Sequence, residues 1–440
     1  MIDLETIVRS QREFFYTKVT RDTMFRKNSL EKLLDSILEN EPAIYTALKQ
    51  DLNKSEREAK LTEVGIIKDS IKYALKNLDA WARPDKAKTP MSLFPSKSMI
   101  YKEPYGVALI MAPWNMPFYL TMAPLIGAIA AGNCAVVKTS KNSPYTSGVV
   151  VDIINSTFDR NYVYAIEEVI SYDEILSKKY DYIFFTGSER VGRTVMRAAA
   201  DSLTPVTLEL GGKNPCIVDE TVDIDMTAYK IMRAKIINAG QSCLAPDYVL
   251  VPVRLRQQFV DSLSRYAKEF IGDPFTNNDY PRIINLHHYM RLKTLIDKSR
   301  ASGVIGGRCD DNQMRIEPAI IPDTGFDSDI MRNEIFGPIL PVIGYDDREE
   351  MIAILKRRPK PLACYIFTED KVSADELIDE LSFGGGCVND CMLHGTNENL
   401  PFGGVGSSGM GSYRGKAGFD TFTHCKSILR VKKKAPTPWL

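Results

Sequence analysis

Between Gly106 and Ser140 the chain runs through three apolar segments in a row, and few architectures can house that pattern. GVALIMAP (106–113) reads as a buried strand, TMAPLIGAIAAG (121–132) as a helix stopped by Gly132, and CAVVKTS (134–140) as the next strand. Apolar runs that are continuous rather than alternating mean strands covered on both faces. Strand, helix and strand at this spacing close as a right-handed βαβ unit, so an α/β fold with a parallel sheet is predicted. Residues 117–137 are nearly uncharged and about as long as a segment that spans a bilayer. Pro117, Pro124, Gly127, Gly132 and Asn133 interrupt them, however, and strands flank them. A buried helix feeding a buried strand is expected, not a membrane span.

The rhythm recurs downstream, with a strand at YDYIFF (180–185), a helix from Ser188 to Ala200, and Thr207-Leu208-Glu209-Leu210 leading into Gly211-Gly212. The first 80 residues read as helices, with Leu33, Leu34, Ile37 and Leu38 forming an apolar stripe of a covering layer. Segments around MSLF and MIYK flank Pro95-Ser96-Lys97-Ser98 and suggest an exposed β-hairpin within 86–103. Glycine runs at Phe383-Gly384-Gly385-Gly386 and Phe402-Gly403-Gly404-Val405-Gly406 let backbone approach backbone or ligand closely. A chain of 440 residues has room for about three domains, and no repeat or low-complexity linker separates them.

Charge excludes some partners. Lys+Arg and Asp+Glu both number 56, so no global field draws the protein to nucleic acid or to an anionic membrane. The basic cluster Lys432-Lys433-Lys434 reads as a solvated tail. Eight dispersed cysteines without a CxxC pair, together with only four histidines, give no metal-site spacing, so no metal is expected. The start Met1-Ile2-Asp3-Leu4-Glu5 lacks the basic and apolar regions of a signal peptide. Free thiols in a reducing cytoplasm follow as the expectation.

Four places carry chemistry. Thr186-Gly187-Ser188-Glu189-Arg190-Val191-Gly192 joins a strand to a helix, and the helix start offers free N–H groups and a positive dipole end to a pyrophosphate. It is not GxGxxG, and a ligand-free glycine turn has the same look. Cys243 lies in the small-residue stretch Asn238-Ala239-Gly240-Gln241-Ser242-Cys243-Leu244, which leaves a thiol accessible. Reactivity requires the thiolate, which local dipoles or cations must favour. Glu209 is a carboxylate inside an apolar strand, where desolvation raises its pKa towards that of a general base; a structural ion pair is the other reading. Asn115, held between Pro113 and Pro117, could aim its amide at a developing oxyanion or simply form a turn.

Together, Pro113-Trp114-Asn115, Lys138-Thr139-Ser140, Phe185-Thr186-Gly187-Ser188, Leu208-Glu209-Leu210-Gly211-Gly212-Lys213, Gly240-Gln241-Ser242-Cys243 and Glu334-Ile335-Phe336-Gly337-Pro338 resemble the aldehyde dehydrogenase superfamily. Glu209 precedes Cys243 by 34 residues, as in that family, and the resemblance covers about residues 20 to 430. Ala245-Pro246-Asp247-Tyr248, the segment from Gly403 to Tyr413 and Phe419-Asp420-Thr421-Phe422-Thr423-His424 resemble its class 3 branch, which takes fatty and aromatic aldehydes.

The resemblance implies roles. Cys243 would be the nucleophile, Glu209 the base, and Asn115 with the Cys243 amide the oxyanion hole. NAD or NADP would lie along Trp114, Lys138, Lys141, Thr186, Gly187, Ser188, Val191 and Gly192, reaching Leu210, Gly211, Glu334 and Phe336 at its nicotinamide end. Lys138 would hold the adenine ribose and Glu334 the nicotinamide ribose. The fold implied is a Rossmann-like cofactor domain (1–85 and 104–208), an α/β catalytic domain (209–408) and a small β bridging element (86–103 and 409–440) that pairs two copies into a homodimer. The implied reaction is NAD(P)-dependent oxidation of medium- or long-chain aliphatic or aromatic aldehydes to acids through a Cys243 thioester. The rivals are a CoA-acylating semialdehyde dehydrogenase, whose members typically lack a glutamate at position 209, and a catalytically silent binding protein on this scaffold.

Two departures bear on this. The family's usual glutamate three residues after the cofactor lysine is Lys141 here, which weakens the case for strict NAD preference. Met116 stands where class 3 relatives often carry an aromatic. The end Lys434-Ala435-Pro436-Thr437-Pro438-Trp439-Leu440 lacks the hydrophobic tail of the branch's membrane-bound members, so a soluble enzyme is expected.

Overall fold

The computed structural model describes residues 3–168 and 170–432; Lys433 and Lys434, with the rest of the tail, lie outside them. Helices fill the first 80 residues, the main ones being Leu4–Tyr16, Thr23–Glu39, Glu41–Leu52 and Gly65–Ala82. Asp3 and Asp22 start the first two by accepting N–H bonds from Glu5 and Met24. The apolar stripe is narrower than the sequence suggests. Leu30, Leu33 and Ile37 are wholly buried, whereas Leu38 is 48% exposed. At 100° per residue Leu38 falls well round from the centre of the buried face, and the layer covers only one side.

The helices pack on a six-stranded sheet ordered Gly409–Met410, Val206–Glu209, Tyr182–Thr186, Val107–Met111, Cys134–Lys138, Val163–Ala165. All neighbours are parallel except the first pair. The helix Tyr119–Ala131 is buried at every residue but Ala123 and feeds Cys134–Lys138 as expected. Gly132 ends it in the left-handed region at φ 93°, where a Cβ would lie 2.6 Å from the Thr20 carbonyl. Asn133 then ties three elements: Gly106 N–H donates to its Oδ1 at 2.9 Å, and its Nδ2 donates to the Phe422 carbonyl at 2.9 Å. Among the described residues no helix is long and apolar enough to cross a membrane.

A second sheet has seven strands, ordered Ile305–Gly306, Ala319–Ile321, Ile339–Tyr345, Tyr248–Pro252, Pro215–Val218, Ala363–Phe367, Gly385–Val388, and all but its first pair are parallel. The third sheet is antiparallel: Asp85–Ala87, Ser96–Pro104 and Thr423–Val431, the last two paired from Thr423↔Pro104 to Val431↔Ser96. The expected hairpin is present with different strands. Met91–Leu93 is a short 3-10 turn, and Asp85–Ala87 pairs with Ser98–Ile100 instead. Pro90 and Pro95 bracket MSLF and cannot donate to a ladder, so the strand lies outside them. Of the C-terminal segment from 409 on, Gly409–Met410 joins the six-stranded sheet, and only Thr423–Val431 joins Ser96–Pro104.

Candidate functional site

Val107–Met111, Cys134–Lys138, Tyr182–Thr186 and Val206–Glu209 are parallel neighbours, so the residues at their C-terminal ends share one edge of the sheet. Lys138 ends its strand, donates to the Thr139 carbonyl at 2.9 Å and lies 5.0 Å above the Tyr172 ring. Burial, then the charge of Lys141, lower its pKa. Lys138, exposed Lys141 and Tyr172 line a cavity of about 890 Å³. One strand over, Thr186 buries an Oγ1 that has no hydrogen-bond partner. Gly187 donates to the Glu209 carbonyl at 3.0 Å, and a Cβ there would meet the Phe185 ring at 2.6 Å. Ser188 occupies the N-cap of Glu189–Ala200, yet its side chain caps nothing, which leaves the hydroxyl and the helix N–H groups free for a ligand. Gly192 packs against Leu210, where a Cβ would approach Cδ2 to 2.8 Å, and Val191 beside it is half-buried.

Glu334 reaches the same edge from the other sheet. A Cβ on Gly211 would lie 2.1 Å from Glu334 Oε2, so only glycine lets this carboxylate sit against the chain. The Glu334 loop is held by Asp247, whose Oδ1 accepts Ile335 N–H at 2.9 Å, and by Lys213, which pairs with Asp247 and donates to the Ile330 and Asn333 carbonyls at 3.0 Å each. Phe336, at φ 50°, meets the Trp114 ring edge-on at 5.4 Å. Burial, then Asp247, push Glu334 up to about 8. Ser188, Gly211 and Glu334 share a cleft of about 500 Å³; Lys138 and Lys141 line the separate cavity, and Trp114, Thr186 and Val191 line neither.

The cysteine loop follows the helix Ile224–Ile236 through Asn238, Ala239 and Gly240, with φ of 51°, 50° and 72°. Three left-handed residues in a row store strain that the surroundings must hold. A Cβ on Gly240 would lie 2.3 Å from the Gly337 carbonyl, so this position admits only glycine. Asn214 fixes the far side: its Nδ2 donates to the Cys243 carbonyl at 2.7 Å and the Ala245 carbonyl at 3.1 Å, while its Oδ1 accepts Ala363 N–H at 2.9 Å. Cys243 is half-buried, whereas Cys134, Cys216, Cys364 and Cys391 are buried outright. Asn115 comes to this loop, its Nδ2 donating to the Gln241 carbonyl at 3.1 Å, and Asn238 Nδ2 donates to the Asn115 carbonyl at 2.7 Å.

Glu209 ends Val206–Glu209 and is 3% exposed, with neither carboxylate oxygen hydrogen-bonded. Burial raises its pKa well above the usual carboxylate range, and the charge of Arg414 opposes that. Among the described residues no cation bonds the Glu209 carboxylate. The thiol differs from expectation. Burial first, then Glu334 and Glu209, push Cys243 up to about 12, and Arg414 pulls the other way. Apolar walls and two carboxylates outweigh the local dipoles that the sequence suggested.

Residues 3–428 match the aldehyde dehydrogenase family. The chain is 48% identical to 4,4'-diaponeurosporen-aldehyde dehydrogenase of Staphylococcus aureus, over 94% of this chain and 91% of the relative. The chain belongs to the aldehyde dehydrogenase family. It is also 40% identical to human aldehyde dehydrogenase family 3 member B1 over 98% of this chain and 92% of the relative. A solved structure titled as the substrate-bound state of Staphylococcus aureus AldH superposes with a TM-score of 0.96 at 46% identity, covering 99% of this chain and 96% of the other. The protein is therefore an oxidoreductase that oxidises aldehydes with NAD or NADP, of the class 3 branch.

The dehydrogenase also uses residues that the motifs do not reveal. Glu58 accepts Asn238 N–H at 2.7 Å, holding the first left-handed residue. Glu63 accepts Phe118 and Tyr119 N–H at 3.0 and 3.2 Å, capping the helix after Asn115, and pairs with Lys54 at 2.5 Å in full burial. Removing one partner of such a pair leaves an unpaired buried charge and costs about 3–5 kcal/mol. Nothing local in the sequence marks Glu58 and Glu63, because the N–H groups they accept from lie 180 and 55 residues along the chain. Asn214 follows directly on the Gly211-Gly212-Lys213 motif, and that adjacency was the one available signal.

Proposed function

We propose that this aldehyde dehydrogenase converts medium- or long-chain aliphatic or aromatic aldehydes to acids, with Cys243 as nucleophile, Asn115 and the Cys243 amide as oxyanion hole, and Glu209 as base. The observation that carries it is a buried Glu209 with two free oxygens, in the same electrostatic neighbourhood as the half-buried thiol of Cys243. Tyr119, Leu244, Phe402 and Tyr413 are buried, and the charges or bonds of this group reach Cys243 or Arg414, which suits an apolar substrate. The staphylococcal relative is named for 4,4'-diaponeurosporen-aldehyde.

The edge of the sheet fits a dinucleotide. Gly187 and Gly211 sit where a Cβ would collide, the helix after Ser188 has an open N-terminus, and Thr186 keeps an unused hydroxyl. Ser188 and Gly187 would hold the pyrophosphate, Lys138 the adenine ribose, and Glu334 the nicotinamide ribose with Phe336 and Trp114 beside it. When bound, NAD(P)+ supplies a hydride acceptor and a positive charge near the thiol. The Cys243 sulfur, as thiolate, bonds the aldehyde carbon while Asn115 Nδ2 and the Cys243 N–H steady the oxyanion. Loss of hydride leaves an acyl thioester. Glu209 takes a proton from water as its oxygen bonds the acyl carbon, the carbon–sulfur bond breaks, and sulfur departs with the electron pair. Steady-state rates over aliphatic aldehydes of rising length and benzaldehyde, with each cofactor, test this reading. Acyl-CoA rather than acid as product, or no reduced cofactor at all, overturns it.

Asn115→Ala slows the pre-steady-state burst by ~10²–10³-fold, the usual effect of losing an oxyanion donor. A stopped-flow trace with an unchanged burst rate removes Asn115 from the mechanism.

Lys141 widens cofactor choice. It stands in the cavity with Lys138, exposed, where a 2′-phosphate would meet two cations and no carboxylate at position 141. NADP is accepted alongside NAD, and Lys141→Glu lowers the NADP/NAD ratio of kcat/KM by ~threefold to tenfold, less at high salt because an exposed pair is screened. A ratio unchanged within twofold shows that Lys141 is a bystander.

Two further parts of the proposal concern assembly and place. Residues 1–85 and 104–208 make up the cofactor domain, 209–408 the catalytic domain, and 86–103 with 409–440 the bridging element. Thr423–Val431 pairs on one side only and exposes Ile428, Leu429 and Val431, which supports pairing with a second copy into a homodimer. All eight cysteines are free, in keeping with a soluble cytoplasmic enzyme.

A further inference from the structure

Arg414 is a buried cation that no motif accounts for. Its guanidinium lies 4.2 Å from the Phe402 ring centre, 5.2 Å from Tyr119 and 5.6 Å from Tyr413, an aromatic box. Nε and Nη1 are both buried and neither has an acceptor. Its backbone is held at φ 77° and followed by Gly415 at φ 47°, a conformation that a bulky residue adopts only when its surroundings impose it. A guanidinium usually satisfies itself with bidentate carboxylates, and burying one without acceptors is costly. A cation kept there at such expense acts on something nearby by its field.

That something is Glu209. Phe402 and Tyr413 exchange backbone bonds at 3.0 and 2.8 Å, so the box closes on itself. Gly403, next to Phe402, abuts the base: a Cβ there would lie 3.1 Å from Glu209 Oε1. Gly409, in the same returning segment, pairs with Glu209 across the sheet. Among the described residues Arg414 is the one cation whose charge acts on Glu209, and it acts on Cys243 as well. We infer that Arg414 is a positioning residue for hydrolysis, its buried guanidinium favouring the ionised form of Glu209 that takes the proton of water. This rests on the assignment of Glu209 as base.

The groups facing Arg414 and Glu209 are Cys243, Tyr413, Tyr119, Glu398 and His394. Tyr119 and Cys243 are pushed up to about 12, burial raises Tyr413 well above its ordinary value, and burial followed by Arg414 hold His394 down to about 4, so these do not titrate near neutrality. Glu398 accepts from Ser70. Glu334 does titrate in that range, but Arg414 is not among the charges acting on it, and it is common to every variant.

The test uses full-length enzyme, hexanal and NAD, with the post-burst rate per burst equivalent measured from pH 5.5 to 9.5. Normalising to the burst removes any fraction that fails to fold. Removing a cation raises a carboxylate's pKa, and hydrolysis needs the carboxylate. The half-maximal pH should therefore rise by about one unit or more in Arg414→Gln and Arg414→Met, and return to within 0.3 unit (roughly the resolution of such a profile) in Arg414→Lys. Midpoints unmoved in Gln and Met, or moved equally in Lys, show that Arg414 only packs. Glu209→Gln separates the two ideas. If that variant turns over normally, the assignment of the base fails; if it stalls while the Arg414 profiles coincide with wild type, only the present inference fails.

Discussion

The Cys243→Ala enzyme forms no reduced cofactor with hexanal, a loss of ~10⁴–10⁶-fold, comparable to deleting the nucleophile of other covalent enzymes. The expectation rests on position. Cys243 alone follows the strained turn from Asn238 to Gly240, its carbonyl held by Asn214, with Asn115 bonded to the Gln241 carbonyl two residues before it and the charge of Glu209 acting on its thiol. Ala at Cys134, Cys216, Cys309 or Cys425 should leave most activity, because none of these thiols acts on the site. Cys134 and Cys216 are wholly buried in strands, Cys309 lies in a two-residue strand outside both parallel sheets, and Cys425 is exposed on the three-stranded sheet. A rate assay with thermal unfolding run in parallel distinguishes chemistry from a cavity, since a Cys→Ala change in a core shifts stability and leaves kcat of the folded fraction alone. If Cys243→Ala kept activity while another cysteine proved indispensable, the mechanism would be wrong at its first step.

Glu209→Gln separates the two halves of the reaction. Glutamine keeps the shape of the side chain and cannot accept a proton, so thioester formation and hydride loss go on while hydrolysis stalls. The trace expected is one equivalent of reduced cofactor per active site, followed by turnover ~10²–10⁴-fold below wild type, the span a positioned general base supplies. In wild type the raised pKa of Glu209 gives a post-burst rate that climbs with pH as the acid ionises and levels off above its pKa. Linear kinetics at near-normal rate in Glu209→Gln mean that another group activates the water.

The parts of the site visible in the sequence are those built from neighbours. Glu209 with Gly211, Gly187 with Ser188, and the turn before Cys243 are short segments whose glycines and chain order carry the geometry. The buried βαβ unit around the helix Tyr119–Ala131 was legible for the same reason, since its apolar runs are continuous. Long-range bonds left no local trace. Glu58 meets Asn238, Glu63 meets Phe118, and Arg414 faces Glu209, each pair joined only by folding. Leu38 and the MSLF segment went astray through edges: the outer limit of a helix face, and prolines that forbid a ladder. The thiol's pKa was misjudged because burial and two carboxylates converge on it from three segments.

The bond from Glu58 to Asn238 spans 180 residues of sequence. A ribosome delivers Glu58 long before its partner, so the emerging helical layer carries Lys54 and Glu63 as each other's partners but Glu58 with only water for company until the middle of the chain arrives. Closing so wide a loop is slow, and the reward comes only when both ends are present. The nucleophile turn, strained on its own, can then be locked only onto a finished N-terminal layer. Reactivity at Cys243 is thereby tied to completion of the fold, and a half-made chain would carry an ordinary thiol.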